Sequence, residues 1–464
     1  LSPESQACAA CHKEKHPSIY AQWGMSKHYG ANVGCFECHG ANASDKDAIK
    51  HKGFNISVIV SPKDCGKCHS KEAEEFMRSH HASAGKIIGS LDNMLAEVIE
   101  GTSSKGASAW KKPESTKLTL GGESPAAVSG CWQCHGSEVK VLKNGDLDPA
   151  TWPNTGIGRI NPDGSTGTCA ACHHRHEFSI TQARRPEACG HCHLGPDHPQ
   201  KEIYEESRHG IDFHAHADRL KMEYSKWIAG EDYHTAPTCS SCHMSATREL
   251  PVTHDVGDRI SWNLRPAISE KIDAKDLALG KPTKSWLDRR KDMQNVCAAC
   301  HAKPMVDSFY TQFDALVTLY NEKFARPGKA LMGQLSKEGL ITETPFDEKI
   351  EWTWFRLWHH EGRRARHGAA MQAPDYVQWH GMFEVAEKFY VELIPEYLEI
   401  VEKAEHANKK AAAERSRKVL DEILNRPEHA WFSGMEPESV KQARKRAQTE
   451  FKARYLNEKE DKPK

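Results

Sequence analysis

The pattern of apolar and polar positions divides the chain into two textures. After residue 301, apolar residues recur at helical spacing over Val306–Arg326, Asp347–Met371, Val377–Asn408 and Lys409–Asn425, with few breakers. Pro327, Pro345, Pro374 and Pro427 punctuate these runs. The tail, Ser439–Lys464, predicts a charged helix that frays into Glu-Lys-Glu-Asp-Lys. Before residue 301 no run is long enough for more than short helices and loops. Gly145–Gly167 is rich in Pro, Gly and Asn and predicts an irregular loop. Gly85–Gly130 predicts loops around one short helix, Leu91–Ile99. No alternating apolar pattern persists anywhere, so the expected class is mainly α.

Composition changes this picture. Of 464 residues only 38% are hydrophobic, which is little for a chain of this length to build an ordinary core. There are 16 cysteines, and every one falls in a C-x-x-C-H motif. The eight motifs are Cys8/Cys11/His12, Cys35/Cys38/His39, Cys65/Cys68/His69, Cys131/Cys134/His135, Cys169/Cys172/His173, Cys189/Cys192/His193, Cys239/Cys242/His243 and Cys297/Cys300/His301. C-x-x-C-H is the covalent attachment signature of c-type haem. Eight motifs predict eight haem c groups, each held by two thioethers and ligated by the histidine of its own motif. No thiol remains for a disulfide framework, and the constant trailing histidine argues against zinc knuckles. The porphyrins then supply the missing apolar core, giving a haem-packed interior with 12 Trp and 14 Phe around it. The expected organisation is an octahaem-binding domain at 1–301 and a haem-free C-terminal helical domain at 302–464 that packs on it and mediates trimer formation.

Formal charge is −1, from 63 basic and 64 acidic residues, and the haem propionates make the loaded protein more acidic. No basic run suggests nucleic acid, and no run of 18 apolar residues suggests a membrane span. Haem is attached to such motifs outside the cytoplasm. Leu1 therefore reads as a processed start, and the expected location is the periplasm or an equivalent compartment.

Electron-transfer haems of this kind take a second histidine as sixth ligand, whereas a catalytic haem keeps that position for substrate. Twenty histidines remain beyond the motifs. Eight of them close every iron, and seven leave one open.

The order of the motifs, together with His-Arg-His-Glu-Phe-Ser (174–179), Gly-Pro-Asp-His (195–198), Ser-Arg-His-Gly (207–210), Val-Thr-His (252–254) and Pro-Asp-Tyr-Val-Gln-Trp-His-Gly (374–381), resembles the hydroxylamine oxidoreductase family of octahaem cytochromes from Cys8 to about Tyr397. The resemblance implies that the fourth haem, on Cys131, Cys134 and His135, is the open one. It implies distal ligands at His28, His51, His81 (or His80), His176, His209, His254 and His367. It places Asp197 and His198 over the open haem, where a carboxylate beside an imidazole can shuttle protons at neutral pH. It also implies that Tyr376 bonds covalently to the active porphyrin of a neighbouring subunit, as in the oxidising members, and so locks a homotrimer.

One departure stands out. The stretch Ile260–Pro266 lacks the tyrosine that the family often carries there, and Arg265 offers a cation suited to an anion such as nitrite. The expected activity is oxidation of hydroxylamine or hydrazine, with electrons leaving through seven bis-histidine haems to a small c-type cytochrome or a quinone-linked partner. The alternatives are a reductive homologue that converts nitrite or hydroxylamine to ammonia, and an electron conduit with no open iron. An octahaem sulfite or tetrathionate reductase fits less well, because all eight motifs are regular. The bases of Trp358–Arg364 suit haem propionates, and the apolar stretch Phe383–Val401 suits helix packing.

Overall fold

The computed structural model describes residues 1–89, 130–272 and 284–456. The helix expected at Leu91–Ile99 and the frayed end of the tail lie outside this set. The protein is mainly α, as the hydrophobic pattern predicts. Strand structure among the described residues amounts to two short antiparallel pairs, β1 (Ile49–His51) with β2 (Phe54–Ile56) and β3 (Trp262–Asn263) with β4 (Glu270–Lys271).

The chain forms two compact units. The first comprises Leu1–Asn263, Glu270–Gln312 and His367–Tyr376; the second comprises Leu264–Ser269, Phe313–Arg366 and Val377–Lys464. The units thus exchange segments, where a division at residue 301 follows chain order. One of the exchanged pieces, His367–Tyr376, joins the unit carrying all eight motifs.

The first unit is built from short helices, six of which start at or just before a motif: Cys35–His39, Pro62–Cys65, Cys131–Cys134, Cys169–Ala171, Glu187–Gly190 and Cys239–His243. Its apolar cluster is small: Tyr204, Phe213, Leu220, Met222, Trp227, Ala229, Tyr233 and Ala236, with Met371 packed against it. The second unit holds the conventional core. Among the twelve largest fully buried side chains, only Phe213, Ile203 and Leu220 belong to the first unit. Tyr320, Leu331, Leu335, Ile350, Leu357, Phe389, Leu393 and Tyr397 fill the second, together with Arg366. Arg366 has no exposed surface, and its guanidinium donates to the carbonyls of Gly362 (2.6 Å), Pro266 (2.8 Å) and Trp358 (3.3 Å) and lies over the Tyr320 ring at 4.2 Å. Such a charge tolerates burial only because its donors are satisfied.

One expectation about the long helices is corrected. Pro327 does not end a helix: Lys303–Tyr320, a π-turn at Asn321–Ala325 and Arg326–Lys337 run on continuously. Pro395 lies likewise just beyond a π-turn, Lys388–Leu393. In a π-turn each carbonyl reaches the N–H five residues on, so the carbonyl four residues before the proline is served by the residue after it. The missing N–H then costs the helix little. Further π-turns occupy Arg356–Glu361 and Gln378–Phe383.

Candidate functional site

Each motif closes a single turn of helix. The backbone N–H of His69, His135, His173, His193 and His301 donates to the carbonyl of the first cysteine of its own motif, at 2.9 to 3.0 Å. Positions i, i+3 and i+4 of one turn share a face, so two thiols and an imidazole project together. All sixteen cysteines lie outside disulfides. Thiols of different motifs also meet: Cys65 with Cys169, Cys134 with Cys192 and Cys189 with Cys239 are in hydrogen-bond contact. Motifs 3 and 5, 4 and 6, and 6 and 7 are therefore immediate neighbours.

The attachment cysteines differ in exposure. Cys11, Cys68 and Cys300 are exposed, whereas the other thirteen are half-buried. Each of the three is the second cysteine of its motif. Three residues along a helix turn a side chain about 60° away from the first position. Where Cys8, Cys65 and Cys297 lean on the protein, Cys11, Cys68 and Cys300 therefore face outward. In motifs 2, 4, 5, 6 and 7 both thiols are half-buried.

Non-motif histidines stand opposite motif histidines at a recurring spacing. Ring centroids lie 6.1 Å apart for His12 and His51, 6.2 Å for His69 and His28, 6.4 Å for His39 and His176, 6.0 Å for His193 and His81, and 6.0 Å for His301 and His209. His254 lies close enough to His173 to act on its charge. Two imidazoles on one iron have centroids about 6 Å apart, since each metal–nitrogen bond is about 2 Å. The residues present thus fit haem c in three respects: paired thiols able to form thioethers, imidazoles spaced for an iron, and a first unit short of ordinary apolar core. His80 and His81 part company here, because the His80 ring faces Gly257 and Asp255 while His81 faces His193. His367 opens the segment that the helical region contributes to the first unit.

Motif 4 is wrapped by the loop after it. Ile157 N–H donates to the Cys134 carbonyl (2.9 Å) and Gly158 N–H to the His135 carbonyl (3.1 Å). Gly136, at φ +75°, and Gly156 meet backbone to backbone; a Cβ on Gly156 falls 2.0 Å from the Gly136 nitrogen. The loop's interior is polar: Arg159, 3% exposed, donates to Asn161 Oδ1 (2.7 Å), the Asn154 carbonyl (3.2 Å) and the Val60 carbonyl (3.3 Å).

Asp197 and His198 lie beside this motif, for the imidazoles of His198 and His191 act directly on the Cys134 thiol. Asp197 Oδ1 is 2.5 Å from His198 Nδ1, and the Cys192 carbonyl oxygen is 2.9 Å from Nε2. His193 and His198 also stand 6.1 Å apart, but both ring nitrogens of His198 are engaged by oxygens. Asp197 thus faces one ring nitrogen of His198, and a backbone carbonyl faces the other.

Tyr376 is half-buried in the short helix Pro374–Val377, where the Asp375 N–H donates to Glu206 Oε1 at 2.5 Å. Arg265 is exposed and belongs to the second unit; its carbonyl accepts from Arg363 Nε at 2.8 Å.

Sequence reasoning missed the groups behind the imidazoles. His39 Nδ1–H donates to the Ser57 carbonyl (2.8 Å), His193 Nδ1 faces Gln200 Oε1 (3.3 Å), and the Nδ1 atoms of His12 and His16 are 3.1 Å apart. Only the His16 contact had a local signal, its i,i+4 spacing.

Comparison with known proteins agrees with this architecture. Residues 160–346 match the family described as "Seven times multi-haem cytochrome CxxCH". Over 250 residues the chain is 32% identical to a probable nitrite reductase–hydroxylamine oxidoreductase fusion protein of Kuenenia stuttgartiensis, covering 51% of this chain and 25% of that protein. The chain thus spans about a quarter of the length of this relative. Among solved structures, a hypothetical multihaem protein superposes with a TM-score of 0.72 at 26% identity, covering 88% of this chain and 97% of the other. A reducing HAO-like protein complex of Kuenenia stuttgartiensis superposes with a TM-score of 0.58 at 20% identity, covering 86% of each chain, a likeness of fold. With covalently attached haem c implied by its motifs, this chain is a multihaem c-type cytochrome with the hydroxylamine oxidoreductase-like fold.

Proposed function

We propose that this multihaem cytochrome is an extracytoplasmic enzyme that oxidises hydroxylamine or hydrazine at an open fourth haem and passes the electrons to a small c-type cytochrome or a quinone-linked carrier. It carries eight haems. Seven are closed by the motif histidines together with His28, His51, His81, His176, His209, His254 and His367. The single observation that supports this reading is the hydrogen-bonded Asp197–His198 pair beside motif 4.

Haem iron with a vacant position supplies a binding site for a nitrogen lone pair and an acceptor of electrons. The chain's own residues do the rest. His198 moves the protons that accompany those electrons, and Asp197 orients its ring and stabilises its charged form. The loop Gly145–Gly167 shields the motif-4 backbone. The contacts of Cys134 with Cys192 and of Cys189 with Cys239 would hold the haems of motifs 4, 6 and 7 next to one another, as electron transfer between them requires. Tyr376 is the residue that, cross-linked in trans, commits the site to oxidation and the chain to a homotrimer.

A second reading, reduction of nitrite or hydroxylamine to ammonia, is favoured by the missing tyrosine in 260–266 and by Arg265, a cation suited to an anion such as nitrite. It also draws on the names of the relatives, one a probable nitrite reductase fusion and one a reducing complex. The haem-loaded protein decides between them. Hydroxylamine-dependent reduction of an added cytochrome c, with a peptide of Tyr376 joined to haem by mass spectrometry, supports oxidation. Ammonia production from nitrite with no cross-linked peptide overturns it. A protein side chain on all eight irons removes both readings.

A further inference from the structure

The helix Ser70–Arg78 follows motif 3 directly and carries Glu72 and Glu75 one turn apart on one face. Glu75 Oε2 accepts the backbone N–H of His254 at 2.9 Å and lies 3.9 Å from the Nδ1 of its ring. Lys71 is 3.8 Å from the other oxygen of Glu75 and donates to the Val252 carbonyl at 3.5 Å, so one face of this helix grips the irregular segment that presents His254. Burial lowers the proton affinity of His254. Glu72 and then Glu75 oppose that effect, whereas Lys71 and His69 reinforce it. The charges acting on His176 are of the other kind, His39 and Arg175.

We infer that Glu72 and Glu75 are positioning residues that back the imidazole of His254 with negative charge and hold the haem c on Cys169 and Cys172 at a lower reduction potential than the haem c on Cys35 and Cys38. The inference rests on the reading of His254 as the partner of His173. A carboxylate behind a ligating imidazole makes it a stronger donor, and nearby negative charge favours the ferric state over the ferrous. Haem 2, with Arg175 next to His176, is shifted the other way.

The test uses the haem-loaded protein without substrate, read by spectropotentiometric titration and by electron paramagnetic resonance of the low-spin haems. E75Q keeps an oxygen for the His254 N–H but loses the charge; E72Q loses charge without touching that contact. Each variant raises the reduced-to-oxidised ratio of one low-spin haem several-fold at its wild-type midpoint, and the double variant raises it about tenfold, equivalent to 59 mV for one electron. The other haems stay in place. Titration curves of E72Q, E75Q and the double variant that superimpose on wild type overturn the inference while leaving the ligand assignment standing. H254A separates the two: loss of one low-spin signal supports His254 as a ligand, and an unchanged count overturns both.

Discussion

Asp197 and His198 show how much a pair of adjacent residues can specify. Both ring nitrogens of His198 are engaged, Nδ1 by Asp197 at 2.5 Å and Nε2 by the Cys192 carbonyl at 2.9 Å, so the ring is held in one orientation. Asp197→Asn preserves the shape and removes the charge that stabilises the imidazolium. Turnover is expected to fall about 100-fold, with haem content by pyridine haemochrome assay unchanged. Glu361 poses a different problem. It is 7% exposed at the end of a π-turn, and burial lifts its carboxyl from 4.5 to about 7, against the opposing pull of Lys388 at 3.9 Å and Arg364 at 3.8 Å. An acid whose folded pKa is raised binds its proton more tightly in the folded state. Its contribution to stability is present in full below pH 4.5 and is lost as pH rises toward 7, by up to about 3 kcal/mol. Glu361→Gln is therefore expected to flatten the stability profile between pH 4.5 and 7 in denaturant melts; an unchanged slope contradicts the assignment.

At the scale of elements, the motif turn and the loop around motif 4 carry the local design. Gly156 is where the loop needs no side chain at all, since a Cβ there meets the Gly136 nitrogen at 2.0 Å. Gly156→Ala must push the loop off motif 4. A loss of about 1–3 kcal/mol is expected, with the perturbation confined to the spectrum of one haem. The motif turns were legible in the sequence because C-x-x-C-H is a local, covalent signal. That Cys11, Cys68 and Cys300 face outward was not, because the motif fixes spacing and not which side of its turn the rest of the unit covers. The long C-terminal helices were legible from their period. Pro327 misled because periodicity and proline say nothing of a π-turn, which depends on how the widened turn packs. The acids behind His254 were not legible, because Glu75 and His254 are far apart in sequence and neither belongs to a motif.

On the scale of the whole molecule, the two units differ in what holds them together. The second has an apolar core of its own residues; the first carries, among its described residues, the cluster around Phe213 and Trp227 and sixteen cysteines outside any disulfide. Protein made without haem attachment is expected to lose the first unit to limited proteolysis while fragments from 313–366 and 377–456 survive longest, read by mass spectrometry. Tyr376→Phe is expected to abolish any covalent oligomer seen on denaturing electrophoresis of the haem-loaded wild type, and with it any absorption band due to a modified porphyrin. By itself the sequence determined where haem attaches, that the fold is mainly α, and which histidines are available, because thioether chemistry and helical period act over a few residues. Only the tertiary structure decided which imidazole stands against which. His39 meets His176 and His301 meets His209 because separate short helices, each too brief to carry its own core, fold around shared groups between them. It also decided that His367–Tyr376 leaves the helical region for the unit of the motifs, a choice set by packing over the whole chain.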